Sequence, residues 1–192
     1  MKKFLTIIML CGVIGGYAQN TPPYAASTNT WVIEGNGISQ IWSDHINVPA
    51  CDKADFNGGT DDAPRADCRN NPGYYFLYSW PYVNKNAATL CPVPWRVPTI
   101  DDFLALYKAL GGKGDWSKDE TLVTKYINSW GGAYGGYCNN EGLPVNQNLY
   151  ADYWSSSEFS STSSYYFGYT DSSVYPQYYY NKYHGFLIRC MK

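Results

Sequence analysis

The chain has only two histidines and little charge, with 16% of its residues Asp, Glu, Lys or Arg, and both shortages narrow what it does. There is no Cys-x-x-Cys, and His45 and His184 are too few imidazoles for the common zinc sites. Gly-x-Ser-x-Gly, His-Glu-x-x-His and phosphate-binding glycine loops are also missing, so the signatures of serine hydrolases, zinc proteases and nucleotide enzymes are absent. No cluster of Lys or Arg offers a counter-charge to a phosphate backbone or an anionic lipid surface, and no nucleic-acid partner is expected. The one long apolar run, Phe4 to Ile14, falls short of the roughly 20 residues a spanning helix needs, so no membrane insertion is expected.

That run follows Lys2 and Lys3 and leads through small residues to Gly16-Tyr17-Ala18, the pattern of a secretory signal cleaved near Ala18. The expectation is a leader over residues 1–18 and one domain over 19–192, secreted or held at the cell surface. Losing two lysines takes the formal charge from −2 to −4. The 174 residues left from 192 after removing 18 are enough for one domain with a real core. They keep Cys51, Cys68, Cys91, Cys138 and Cys190, an odd set in a compartment where thiols mostly pair.

Trp31 to Glu34 and Ile38 to Trp42 read as strands of a hairpin, with Gly35-Asn36-Gly37 supplying residues that tolerate positive φ. From Pro49 to Gly73 the composition turns to Asp, Asn, Gly and Pro, a long loop stapled by Cys51 and Cys68. Residues 31–73 thus form an N-terminal hairpin and loop. Tyr74 to Trp80 reads as a buried aromatic strand. Thr99 caps a first helix with Asp102 at its third position and a core face of Ile100, Phe103, Leu106, Tyr107 and Leu110. Ser117 and Glu120 form a capping box for a second, whose face is Leu122, Val123, Tyr126, Ile127 and Trp130, with Gly131-Gly132 as its stop. Gly185 to Cys190 alternates into a final strand. Strands before and after a helical pair make an α+β order.

Four segments carry a family likeness: Cys91-Pro-Val-Pro-Trp-Arg-Val-Pro-Thr99, Tyr153-Trp-Ser-Ser-Ser-Glu158, Tyr165-Tyr-Phe-Gly168 and Gly185-Phe-Leu-Ile-Arg-Cys190. Over residues 74–190 the chain resembles the Fibrobacter succinogenes major paralogous domain family, with Pro94 where the family usually has Gly. The resemblance implies an extracellular bacterial domain with a C-type-lectin-like fold, two helices packed on short twisted antiparallel sheets with long loops. It also implies a disulfide between Cys91 and Cys190. Cys51 with Cys68 is the second expected pair, with Cys138 a competing partner for either.

Ten of the twenty tyrosines and nine serines lie between Tyr150 and His184. Tyrosine gives a large amphipathic contact surface at low rotamer cost while Ser and Asn adapt their hydrogen bonding, the mix found in antibody paratopes. On a lectin-like fold this segment forms an exposed face, and the expected ligand contacts are Tyr169, Asp171, Tyr175, Tyr178, Tyr179, Tyr180, Asn181, Tyr183 and His184. The competing reading makes many of these tyrosines half-buried strand residues, Tyr165 and Phe167 above all. The segment also resembles the variable C-terminal region of lectin-fold proteins diversified by retroelements. Calcium-dependent lectins use Glu-Pro-Asn or Gln-Pro-Asp loops and a Trp-Asn-Asp strand, and none of these tripeptides occurs. Asp52, Asp55, Asn57, Asp61 and Asp62 are weak candidates for a calcium loop, with no EF-hand spacing. Cofactors are otherwise not expected.

The expected function is a ligand-binding module for a glycan or surface protein, without enzymatic activity. The alternatives are a diversified receptor-binding protein or a structural component of a surface assembly. A hydrolase using Cys138 with His184, or Glu141 with Glu158, is the weakest reading.

Overall fold

In the computed structural model the described residues are 30–46 and 76–192. The hairpin forms as β1 (Trp31–Gly35) and β2 (Ile38–His45), in register from Trp31 opposite Trp42 to Gly35 opposite Ile38. Asn36 and Gly37 alone make the turn, at φ of 50° and 76°, the two-residue geometry that matches strand twist. The leader, Cys51, Cys68, the stapled loop and the calcium candidates Asp52, Asp55, Asn57, Asp61 and Asp62 lie outside the described residues.

The aromatic strand expected up to Trp80 is shorter than the sequence suggests. Tyr74 and Tyr75 lie outside the described residues; among the described residues of this stretch only β3 (Tyr78–Ser79) is strand, and Trp80 opens a helix, α1 (Trp80–Lys85), followed by a single turn, α2 (Ala87–Leu90). Pro81 lies in the first turn of α1, where its fixed φ and missing N–H suit a helix start.

The first long helix, α3 (Ile100–Ala109), begins as its sequence predicts. Thr99 caps it and accepts from the Asp102 N–H, while the Asp102 carboxylate accepts from the Thr99 N–H at 2.6 Å. Arg96 donates to the same carboxylate and, with Thr99, holds it below the usual range against the opposing pull of burial. The second long helix, α4 (Glu120–Asn128), starts differently: its cap is Asp119, which accepts from Thr121 and Leu122. Ser117 is used elsewhere, in β4 (Ser117–Lys118), where it pairs with Val174. Ile127, expected on the core face, is 37% exposed, whereas Leu122, Val123, Tyr126 and Trp130 are buried.

Seven further strands complete the chain: β5 (Tyr137–Cys138), β6 (Pro144–Val145), β7 (Ala151–Glu158), β8 (Ser163–Tyr169), β9 (Ser173–Asn181), β10 (Gly185–Phe186) and β11 (Arg189–Met191). They form three sheets, ordered β1-β2-β11, β3-β10-β5-β6 and β4-β9-β8-β7. The architecture is α+β. The final segment is two short strands in different sheets, and Gly185 to Met191 is buried without alternation because neighbours cover both of its faces.

The core sits between the helices and one face of β7–β9. Phe103 of α3 stacks on Phe167 at 5.0 Å, and Tyr126 of α4 meets Phe167 at 5.0 Å and Tyr169 at 5.6 Å. Trp130 packs edge-on to Trp42 and Tyr153. Arg189 is buried against this cluster, its guanidinium 4.3 Å from the Trp130 ring and donating to the carbonyls of Ser43 and Trp130. His45 shares a 2.7 Å hydrogen bond with the Tyr153 hydroxyl, and burial lowers its pKa to about 4.

A disulfide joins Cys91, ahead of α3, to Cys190 in β11, across a sequence separation of 99. In the chain-entropy account such a loop contributes ~4 to 5 kcal/mol. Cys138 is disulfide-bonded as well, and its partner lies outside the described residues.

Candidate functional site

Alternation along β7 sends Ala151 and Tyr153 toward the helices and Asp152 and Trp154 to the opposite face. Asp152 stands opposite Gly168, and Trp154 opposite Tyr166. The absence of a side chain at Gly168 makes room for the carboxyl, because a Cβ there would lie 2.6 Å from the Asp152 Oδ1. On β9 the register slips: Tyr166 pairs with Tyr178 but Gly168 pairs with Tyr175. Pro176 and Gln177 therefore oppose Phe167 alone. This bulge puts Tyr175 and Tyr178, three residues apart, on the same face.

The result is a cleft where this sheet meets β5 and β10. Its larger part, about 290 Å³, is lined by Tyr150, Asp152, Tyr166, Thr170, Tyr175 and Tyr178, with Tyr169 contributing from below. A smaller part of about 90 Å³ shares Tyr150, Asp152 and Tyr166 and adds Tyr137, Tyr180 and Phe186. Tyr166 stands nearly perpendicular to Tyr178 and to Tyr180, with centroids 6.0 and 6.3 Å away. Exposed Trp116 stacks on Tyr175 at 6.1 Å and extends the aromatic wall outward.

Among the described residues Asp152 is the one acid in this lining, and it is 7% exposed. Its backbone is fixed, since its carbonyl accepts from the Leu187 N–H at 2.9 Å. Among the described residues no donor and no cation reaches its carboxyl, and burial alone pushes its pKa up to about 8. Burial likewise raises the Tyr166 and Tyr137 phenols, which stay protonated at neutral pH. The cleft thus offers π faces, phenol oxygens and a single carboxyl with an unused hydrogen-bonding capacity.

The expected contact residues divide. Tyr175, Tyr178 and Tyr180 meet in the cleft. Tyr179 lies on the reverse face of β9, stacked on Phe159 at 4.0 Å. Tyr169 is 1% exposed and belongs to the core beside Tyr126, so it is no surface contact. Asp171 is exposed in the turn before β9, and Asn181 is exposed at its end, accepting from the Tyr183 N–H. Half-buried His184 packs edge-on to Tyr180 at 4.5 Å and near Tyr137. Sequence reasoning missed Asp152, Tyr150, Tyr166, Tyr137 and Phe186. The available signal was an acid among the apolar residues that open β7, between Ala151 and the pair Tyr153 and Trp154.

Two of the enzyme candidates are engaged elsewhere. Cys138 is in a disulfide and has no thiol to offer. Glu158 is bound to Lys182, which also lies over the Trp80 ring at 4.6 Å and donates to the Ser161 carbonyl. Among the described residues no three His, Cys, Asp or Glu side chains converge on a metal position, and no helix is long and apolar enough to cross a membrane.

Comparison with curated proteins and with solved structures returned no match. The model of the Fibrobacter succinogenes major domain matches residues 26–192, extending the resemblance to the N-terminal hairpin. With most of its length matched, the chain belongs to the Fibrobacter succinogenes major domain family.

Proposed function

We propose that this protein is an exported binding module without catalytic activity, built on a C-type-lectin-like fold, that recognises a glycan or surface protein through the cleft between β5, β10 and β7–β9. The carrying observation is Asp152, a residue 7% exposed at the floor of the cleft whose carboxyl has no partner among the described residues, beneath a wall of partly exposed tyrosines. Holding that carboxyl out of bulk water with no group paired to it costs free energy. A bound partner that pairs with it recovers that cost. The apolar walls with few polar groups have the character of ligand sites.

The test is partner capture on glycan and surface-protein arrays with the wild type and a Tyr175→Ser, Tyr178→Ser, Tyr180→Ser variant. Selective loss of a partner by the variant, with a cooperative urea unfolding transition and far-ultraviolet circular dichroism like the wild type's, supports the reading. Retention of every partner sinks it. The five consecutive exposed residues Gln177 to Asn181 favour a second reading, a diversified receptor-binding face, because substitutions there leave the core untouched. Deep sequencing of the encoding DNA distinguishes it: diversity confined to adenines in these codons supports it, and a uniform sequence removes it.

A further inference from the structure

The geometry points to an alkylated ammonium group as what the cleft around Asp152 takes from its partner, an inference that rests on the cleft being the binding site. Three observations carry it. First, the lining is electrostatically one-sided: among the described residues Asp152 is its one carboxyl, and no Lys or Arg lines either part. An anionic ligand would meet an acid with no counter-charge, whereas a cation would be paired.

Second, the rings form a box rather than a platform. Around the larger part Tyr166 is turned 83° from Tyr178, and Tyr175 is turned 62° from Tyr178; Tyr180, turned 86° from Tyr166, walls the smaller part. A sugar ring stacks best on one flat aromatic face. Mutually perpendicular rings surround a compact, roughly spherical group, and their π faces attract positive charge.

Third, the acid is placed for contact with a guest rather than with the protein. Gly168 opens the space beside its carboxyl, and no protein donor fills it. A methylated ammonium is weakly hydrated, so it enters an aromatic-walled cleft at less desolvation cost than a bare ammonium does. A cleft of about 290 Å³ accommodates such a head with room for its linker.

Binding is then coupled to ionisation. Free Asp152 titrates near pH 8, and a cation beside it favours the carboxylate. The other groups facing it are the phenols of Tyr150 beside β7, Tyr166 of β8, Tyr175, Tyr178 and Tyr180 of β9, and Tyr137 of β5, with His184 behind Tyr180. Affinity for the cation therefore rises with pH up to about 8 and levels off above it.

The experiment titrates the whole protein with choline and with 3,3-dimethyl-1-butanol, its neutral isostere, following tyrosine fluorescence and heat. Choline is expected to bind at least about tenfold more tightly than the alcohol, as a desolvated cation–π contact plus a charge pair implies. Asp152→Asn, which keeps the shape of the side chain, is expected to weaken choline about tenfold and flatten its pH profile. Tyr178→Leu, at a position 53% exposed and so safe for folding, removes one wall and weakens choline several-fold. Equal binding of alcohol and choline, unchanged affinity in Asp152→Asn, a pH profile that persists in that variant, or no choline binding at high millimolar concentration each overturns the ammonium assignment. None of these outcomes affects partner loss in the triple tyrosine variant, which tests the binding site itself.

Discussion

The two faces of the β7–β9 sheet are made of similar residues and serve opposite ends. Toward the helices lie Tyr153, Phe167 and Tyr169, sealed by Phe103, Tyr126 and Trp130. On the other side lie Trp154, Tyr166, Tyr175, Tyr178 and Tyr180, and only Trp154 is fully covered, by Phe186 at 4.2 Å and a hydrogen bond to the Tyr78 carbonyl. Tyrosine content does not tell a core from a binding surface. What separates the faces is whether a helix lies across them, and the polar group each buries: the inner face ties Tyr153 to His45 and the Ala133 N–H, while the outer face leaves Asp152 unpaired.

The comparison breaks most visibly under truncation. Phe167→Ala removes a ring held between Phe103 and Tyr126 and is expected to cost ~4 kcal/mol in urea unfolding. A loss under ~1 kcal/mol would mean that the inner face is not the core.

A second contrast is the pH dependence of stability. The folded pKa of Asp152 lies above its unfolded value of 3.8, so its contribution is full below pH 4 and is lost as pH rises through about 8. His45 works the other way: with a folded pKa of about 4 against 6.5, its contribution is present above pH 6.5 and lost as pH falls through 4. Unfolding free energies measured from pH 4 to 9 should show the Asp152 slope, up to ~1.4 kcal/mol per pH unit, vanish in Asp152→Asn while the opposing His45 slope remains.

Smaller effects sharpen the contrast. The Tyr126 hydroxyl is buried without a hydrogen-bond partner, so Tyr126→Phe should be neutral or stabilising by about 1 kcal/mol in the same assay. Tyr178→Ala on the outer face should change stability by less than ~0.5 kcal/mol while weakening ligand binding. A large stability loss there would make Tyr178 a packing residue.

Much of the scaffold was legible in the sequence because its signals are local. Thr99 and Asp102 satisfy one another's backbone donors, so α3 could be read from its own residues. The Asn36-Gly37 turn is equally self-contained. Ser117 misled because its pairing with Val174, a partner 57 positions away, outweighed a cap it could otherwise have formed. Trp80 misled because Pro81 suits a helix start as well as a strand end. Within the site, Tyr175, Tyr178 and Tyr180 were found by composition, but Tyr169 and Tyr179 were not separable from them, since facing depends on a register slip that no local pattern announces. Asp152 escaped for a related reason: its meaning comes from Gly168 across the ladder and from rings on β5 and β9.

That register slip has a consequence for how the protein can change. Facing along a strand is a matter of odd and even, and the extra residue near Pro176 is what sets the parity of everything after it in β9. Deleting Gln177 would leave Pro176 alone opposite Phe167 and Tyr178 still opposite Tyr166, so the outward set would keep its facing while the strand lost its bulge. The bulge is thus a place where β9 absorbs a change of length, bending and twisting the strand, while the identity of the surface is set by the residues that stand opposite Tyr166 and Gly168.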